Sequence, residues 1–133
     1  MSGRLIAPGR ARGPALVLDE PLSLWGGLDP ATGRVIEVRH PQHGARVTGR
    51  VLVLPAARGS SSSASVLAEA IRAGTAPAAI VLGEPDLILA LGAAVAEELY
   101  GVQIPILVLP AADLAAIRDG ATVTIGPEGV SAV

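Results

Sequence analysis

The 133-residue sequence contains no cysteine, no phenylalanine and no lysine, and it has one tryptophan, one tyrosine and one methionine. Without Cys the chain has no disulfide and no thiolate-held zinc or iron–sulfur site. Without Lys it has neither a Schiff-base nucleophile nor a Walker-type phosphate loop, both of which need that side chain. Without Phe the interior falls to Val, Ile, Leu and Ala, a composition that suits strands covered on both faces. Half of the residues are hydrophobic and 17% are charged, unlike the polar, highly charged make-up of a disordered chain. Ten basic and twelve acidic residues give a net charge of −2. A nucleic-acid surface would need a clustered basic excess, so no nucleic-acid partner is expected. No apolar run reaches the ~20 residues that cross a bilayer. The N-terminus, MSGRLIAPGRARG, has no apolar h-region. The expectation is therefore a cytoplasmic protein without a membrane partner. The length suits one core, and residues 1–133 are read as one domain.

What is present falls into two parts. The first third reads as strands and turns, without a helix before residue 60. Ala15–Leu18 is a short apolar run. Residues 22–30, Leu-Ser-Leu-Trp-Gly-Gly-Leu-Asp-Pro, carry the paired Gly and the Asp-Pro of a loop. Arg34–Val38 alternates polar and apolar as a half-buried strand does, and His40-Pro41-Gln42-His43-Gly44 turns the chain. The remainder alternates strand and helix. Arg50–Leu54 is a buried strand, followed by a helix with Val66, Leu67, Ala70 and Ile71 on one stripe and Gly74 at its end. Ala78–Leu82 is a second strand, and Pro85–Tyr100 a second helix with Gly92 as its weak point and Gly101 as its stop. Ile104–Leu109 is a third strand, whose Pro105 suits an edge or the start of the strand. Residues 110–117 form a short helix, and Thr122–Ile125 a last strand. Alternation of this kind implies parallel strands with helical crossovers. Because the first third adds strands without helices, a β/β/α layered domain fits better than a doubly wound fold. No Gly-x-Gly-x-x-Gly supports dinucleotide binding.

The strongest local signal is Arg58-Gly59-Ser60-Ser61-Ser62-Ser63, between a buried strand and a helix N-terminus. Ligands of open α/β sheets gather at the carboxyl ends of strands, and a helix N-terminus attracts anions through free amides and partial positive charge. Gly59 allows close approach of the backbone, and Arg58 offers a bidentate contact to a carboxylate. The same residues also describe a helix capped by one of these serines within a Ser-rich turn. His40 and His43 read as a turn with a surface imidazole rather than a metal pair. Trp25-Gly26-Gly27 reads either as the wall of a pocket or as core packing. Glu84, Asp86, Glu97 and Glu98 read as a solvated helical face.

Three blocks together resemble the small subunit, or swivel domain, of the aconitase X proteins. The first is Pro21-Leu22-Ser23-Leu24-Trp25-Gly26-Gly27-Leu28-Asp29-Pro30 with Thr32-Gly33. The second runs from His40-Pro41 through Gly44 to Gly49–Pro55. The third is Arg58-Gly59-Ser60 with the helix behind it, followed by Ala76–Ala79 and Ile104-Pro105-Ile106. The resemblance covers almost the whole chain and implies an α/β fold, a swivelling β/β/α three-layer domain that docks on an aconitase X large subunit. It implies that Ser60, directly after the Arg-Gly pair, is the proton acceptor of a dehydration. Arg58, Gly59, Ser61, Ser23, Gly26, Gly27 and His40 are then the candidate substrate-binding residues. No metal or other cofactor is expected on this chain, and an iron–sulfur cluster is expected on the large subunit. Ser61 takes a place where bacterial relatives often carry Cys, and Ser63 a place usually held by Gly or Ala. Two substrates go with the family, cis-3-hydroxy-L-proline and mevalonate 5-phosphate. The Trp-Gly-Gly and His-Pro blocks look more like the hydroxyproline group, and Arg58 is the one Arg with a clear place in these loops. The other readings are a mevalonate 5-phosphate dehydratase small subunit and a non-catalytic carboxylate-binding swivel module.

Overall fold

A computed structural model describes residues 1–58 and 61–133; Gly59 and Ser60, the candidate base among them, lie outside the described residues. The centre is formed by four short strands: β2 (Ala11–Val17), β6 (Val51–Leu54), β8 (Ala79–Leu82) and β9 (Ile106–Val108). β2, β6, β8 and β9 run parallel where they pair, with Leu16 opposite Leu52, Leu52 opposite Ile80 and Val81 opposite Leu107. β1 (Arg4–Ala7) pairs antiparallel with β9, and β10 (Thr122–Gly126) pairs antiparallel with β2 and with β11 (Gly129–Ala132). The seven-stranded order is β1-β9-β8-β6-β2-β10-β11. Pro105 immediately precedes β9, which lies inside the sheet because β1 forms that edge. Pro14 is tolerated in β2 because the strand changes neighbours along its length. Residues 11–14 pair with β10, whereas 15–17 pair with β6.

Alternate residues of the buried strands serve two cores, as the period of two in a strand requires. Leu52, Leu54, Ile80 and Leu82 face helices α2 (Ser62–Ala73) and α3 (Leu87–Tyr100), through Val66, Leu67, Ile71, Leu89, Ala93 and Ala96. Val51, Val53, Ala79 and Val81 face the other way. There Val123, Ile125 and Val130 of the β10–β11 hairpin cover them, with Ile117 after helix α4 (Ala111–Ala116). The sheet therefore curls over one of its own faces while α2 and α3 cover the other, which is the β/β/α arrangement expected.

The first third folds onto the helical side. β3 (Leu22–Ser23) pairs parallel with β7 (Ala57–Arg58), and β4 (Leu28–Asp29) pairs antiparallel with β5 (Arg34–Val35). Leu22, Leu24, Leu28, Val35 and Val47 enter the same core as α2. Three local expectations are corrected here. The strand expected over Arg34–Val38 stops at Val35: the Ile36 amide bonds to the Gly27 carbonyl at 2.8 Å, and Val38 is 77% exposed. Leu24–Gly27 forms a single turn, α1, before residue 60, broken by non-helical torsions at Trp25 and Gly26. Asp86 is no part of a solvated face. It caps α3, its carboxylate accepting from the Leu89 amide at 2.9 Å. Gly74 and Gly101 end α2 and α3 in the left-handed conformation, as expected.

Candidate active site

Strand β6 runs out at Leu54, and Pro55-Ala56 carries the chain into β7, where Arg58 stands in register with Ser23 of β3. That pairing joins two segments 35 positions apart in sequence. Around it opens a cleft of about 260 Å³, lined by Glu20, Pro21, Leu22, Ser23, Gly27, Glu37 and Arg58. Its floor is apolar and its rim charged. A larger depression of about 470 Å³ near α4 is lined mainly by Val17, Leu18, Val53, Leu54 and Leu114, with Asp19 as its one charged group. It offers little to orient a polar substrate.

Of the expected binding residues, Ser23, Gly27 and Arg58 line the cleft directly. The Ser23 hydroxyl donates to the Trp25 carbonyl at 3.1 Å, closing the turn that holds Gly26 and Gly27. Gly26 has φ +78°, in the left-handed region that favours glycine. A Cβ on Gly27 would stand 2.8 Å from Leu22 Cδ1, so the bare backbone is needed for the cleft wall to close on β3. Trp25 neither walls the cleft nor packs in the core, being 61% exposed. Its backbone amide donates to the buried Ser63 hydroxyl at 3.2 Å, tying the Trp-Gly-Gly turn to the first turn of α2. Ser63 was not among the expected site residues. The Ser run in the sequence signals a helix start but not this long-range bond.

Ser61 stands at the N-cap of α2, but its side chain makes no capping bond. Its φ of −54° and ψ of −23° are helical rather than extended, which turns the hydroxyl away from the first-turn amides. The capping expectation is thus corrected for this serine.

His40 differs most from its expected role. Expected to bind substrate, it is a buried ring with both nitrogens engaged, and His43 is the surface imidazole of this turn. The Gln42 amide donates to Nδ1 at 3.0 Å, so Nδ1 is the acceptor and Nε2 carries the proton, which it donates to the Glu20 carbonyl at 3.1 Å. His40 holds Glu20, a cleft residue, in place and does not line the cleft itself. His43 is exposed. Among the described residues no three His, Cys, Asp or Glu side chains gather in a way that could hold a metal ion.

Residues 1–132 match the aconitase X swivel domain family. The chain is 52% identical over 103 residues to the cis-3-hydroxy-L-proline dehydratase of Pseudomonas aeruginosa, covering 77% of this chain and 18% of that protein. It is 42% identical over 116 residues to the phosphomevalonate dehydratase small subunit of Methanothermobacter thermautotrophicus, covering 87% of this chain and 84% of that one. The chain thus spans about a fifth of the first relative and most of the second. Its fold superposes on aconitase X of Thermococcus kodakaraensis with a TM-score of 0.87 at 30% identity, over 99% of this chain and 96% of that chain. No helix among the described residues is long and apolar enough to cross a membrane. With a match over nearly its whole length, a shared fold and a cleft built from the Ser23, Gly27 and Arg58 blocks, the chain belongs to the aconitase X swivel domain family.

Proposed function

We propose that this chain is the small subunit of a dehydratase that removes water from cis-3-hydroxy-L-proline, with Ser60 as the base. One observation carries the reading: Arg58 is held in register with Ser23 in a cleft that both residues line together with Glu20 and Glu37. Ser60 follows Arg58 by two residues and immediately precedes Ser61, where α2 begins. The fork of Arg58 suits the substrate carboxylate, which it can grip through two parallel hydrogen bonds. With the carboxylate gripped, the acidic C–H lies on the adjacent carbon. Ser60, as an alkoxide, takes that proton, the C–H electrons become the new carbon–carbon double bond, and the hydroxyl on the next carbon leaves with its bonding pair; a proton equivalent to the one taken by Ser60 completes it to water. Amides at the start of a helix stabilise negative charge, which lowers the cost of a serine acting as base.

This chain does not fit an iron–sulfur cluster. It has no Cys, and its described His, Asp and Glu residues form no ligand trio. The group that assists departure of the hydroxyl is therefore assigned to a large subunit, in keeping with the name of the small-subunit relative. The cleft is half of an active site.

The choice of hydroxyproline is supported by the 52% identity to a dehydratase of that substrate. The phosphomevalonate reading draws on the relative matched over 84% of its length. Co-expression with the large subunit, followed by assay of water loss from both substrates, separates the two. Turnover of mevalonate 5-phosphate but not of the hydroxyproline overturns the preferred choice. Ser60→Ala in the assembled complex should lower turnover by at least about 10³-fold, in line with loss of an essential proton-transfer group. Subunit assembly should persist, as checked by size-exclusion chromatography. Near-normal activity would leave only a carboxylate-binding module.

A further inference from the structure

The cleft holds two charges that the reaction assigned to Ser60 does not use. Glu20 and Glu37 line it together with Arg58. Among the described residues the only ion pair is Arg72–Glu69 on α2. Neither cleft carboxylate is therefore neutralised by Arg58, and all three groups remain available to a ligand. Two acidic side chains beside a single guanidinium leave the cleft with an excess of negative charge, which disfavours a ligand whose charges are all negative. They suit a ligand that carries a cation next to its carboxylate.

The segments that carry the two glutamates are tied in place. One Glu37 oxygen accepts from the Arg39 amide at 3.2 Å, and the Glu37 carbonyl accepts from the His40 amide at 3.1 Å. The adjoining Ile36 amide bonds to the Gly27 carbonyl. These ties seat Glu37 over the glycine wall, its Cβ 4.0 Å from where a Cβ on Gly27 would lie. Glu20 is held by the His40 ring through its own carbonyl. Arg58 stands on β7, whose backbone is held by the pairing with β3. The cleft thus presents one cation, on β7, and two anions from loop residues, with Pro21 and Leu22 adding apolar surface.

We propose that Glu37, with Glu20 beside it, recognises a positively charged nitrogen adjacent to the substrate carboxylate. The small subunit then selects a zwitterionic imino or amino acid over a hydroxy acid that lacks the cation. This inference rests on the reading of the cleft as the substrate side of the active site.

The test uses the complex with the large subunit and a matched pair of ligands. L-Proline carries the ring ammonium; tetrahydrofuran-2-carboxylate has the same ring size and carboxylate with a neutral oxygen in its place. Calorimetry on the wild-type complex should show L-proline binding at least about tenfold more tightly than the oxygen isostere. Glu37→Gln should remove most of that ratio by weakening L-proline alone, and Glu20→Gln should reduce it less. With cis-3-hydroxy-L-proline as substrate, the loss in Glu37→Gln should appear in KM rather than kcat, the sign of a uniform binding contact. A ratio unchanged in both variants overturns the role of the carboxylates, as does failure of L-proline to bind the wild-type complex. If the wild-type complex dehydrates only mevalonate 5-phosphate, the substrate reading itself fails. If it dehydrates the hydroxyproline while the ratio ignores both variants, only the present inference fails.

Discussion

His40 shows how a single side chain sets the cleft without entering it. Its two ring nitrogens satisfy the Gln42 amide and the Glu20 carbonyl, both in a part of the chain with little regular structure. Replacing it with Ala leaves a half-buried donor and a half-buried acceptor without their partner. Each such orphan costs ~1–3 kcal/mol. His40→Ala should therefore lower the urea midpoint by an amount equivalent to about 2 kcal/mol and also weaken substrate binding, because Glu20 loses its tether. His40→Asn restores at most one of the two bonds and should fall between. An unchanged midpoint in the Ala variant would show that the ring is not what holds the loop. At this scale the sequence was readable for residue type but not for partner. Arg58 and Ser23 stood out in separate motifs, yet nothing local says that they lie in register across 35 positions. Ser63 and Trp25 are 38 positions apart and are joined by one hydrogen bond. The sequence allows one surface imidazole in the His40–His43 turn without saying which; His43 is the exposed one, and the ring of His40 bonds to the distant Glu20 segment.

The helices show where local rules suffice and where packing overrides them. α3 begins at Asp86, whose side chain caps the Leu89 amide, whereas α2 begins at Ser61, whose hydroxyl caps nothing. Asp86→Ala should destabilise the protein by about 1 kcal/mol, the usual worth of an N-cap. Ser61→Ala should stay within about 0.5 kcal/mol of wild type in the same denaturation assay, as a surface change without a partner does. Equal losses in the two variants would contradict the capping geometry. The ends of α2 and α3 were legible from Gly74 and Gly101 and from the apolar stripe of α2. Less legible was α3, which is apolar nearly all round, with Leu89 buried and Leu87, Leu91 and Leu99 exposed. Its Gly92 looks like a helix weakness, but a Cβ there would stand 2.7 Å from the Ala64 carbonyl oxygen of α2. The glycine is what lets the two helices approach. β1 and β11 were not anticipated. Each is four residues long, and each gains its strand character from a partner, β9 at Ile106–Val108 and β10 at Val123–Gly126.

For the molecule as a whole, both faces of the sheet are covered by this chain alone, and so the domain needs no large subunit to close its core. The face opposite α2 and α3 depends on the curl of the sheet. Val123, Ile125 and Val130 lie over Val51, Val53 and Val81, and the Met1 ammonium and carbonyl clamp Val130 through bonds of 2.9 and 3.1 Å. Burying three such side chains contributes roughly 5–9 kcal/mol at ~1.5–3 kcal/mol each, a sum comparable with the ~5–15 kcal/mol that keeps a typical domain folded. The chain purified without a partner should therefore unfold in one cooperative urea transition, whereas a version lacking residues 122–133 should show none. The cleft is completed differently. Its Arg58, Glu20 and Glu37 are exposed, and no ligand set for a cluster is found among the described residues. Stability and activity should thus separate cleanly: the isolated chain folds but dehydrates neither substrate, and adding the large subunit restores turnover without moving the intrinsic fold. Activity in the isolated chain, or a cooperative transition in the version without the hairpin, would each break that separation at a different point.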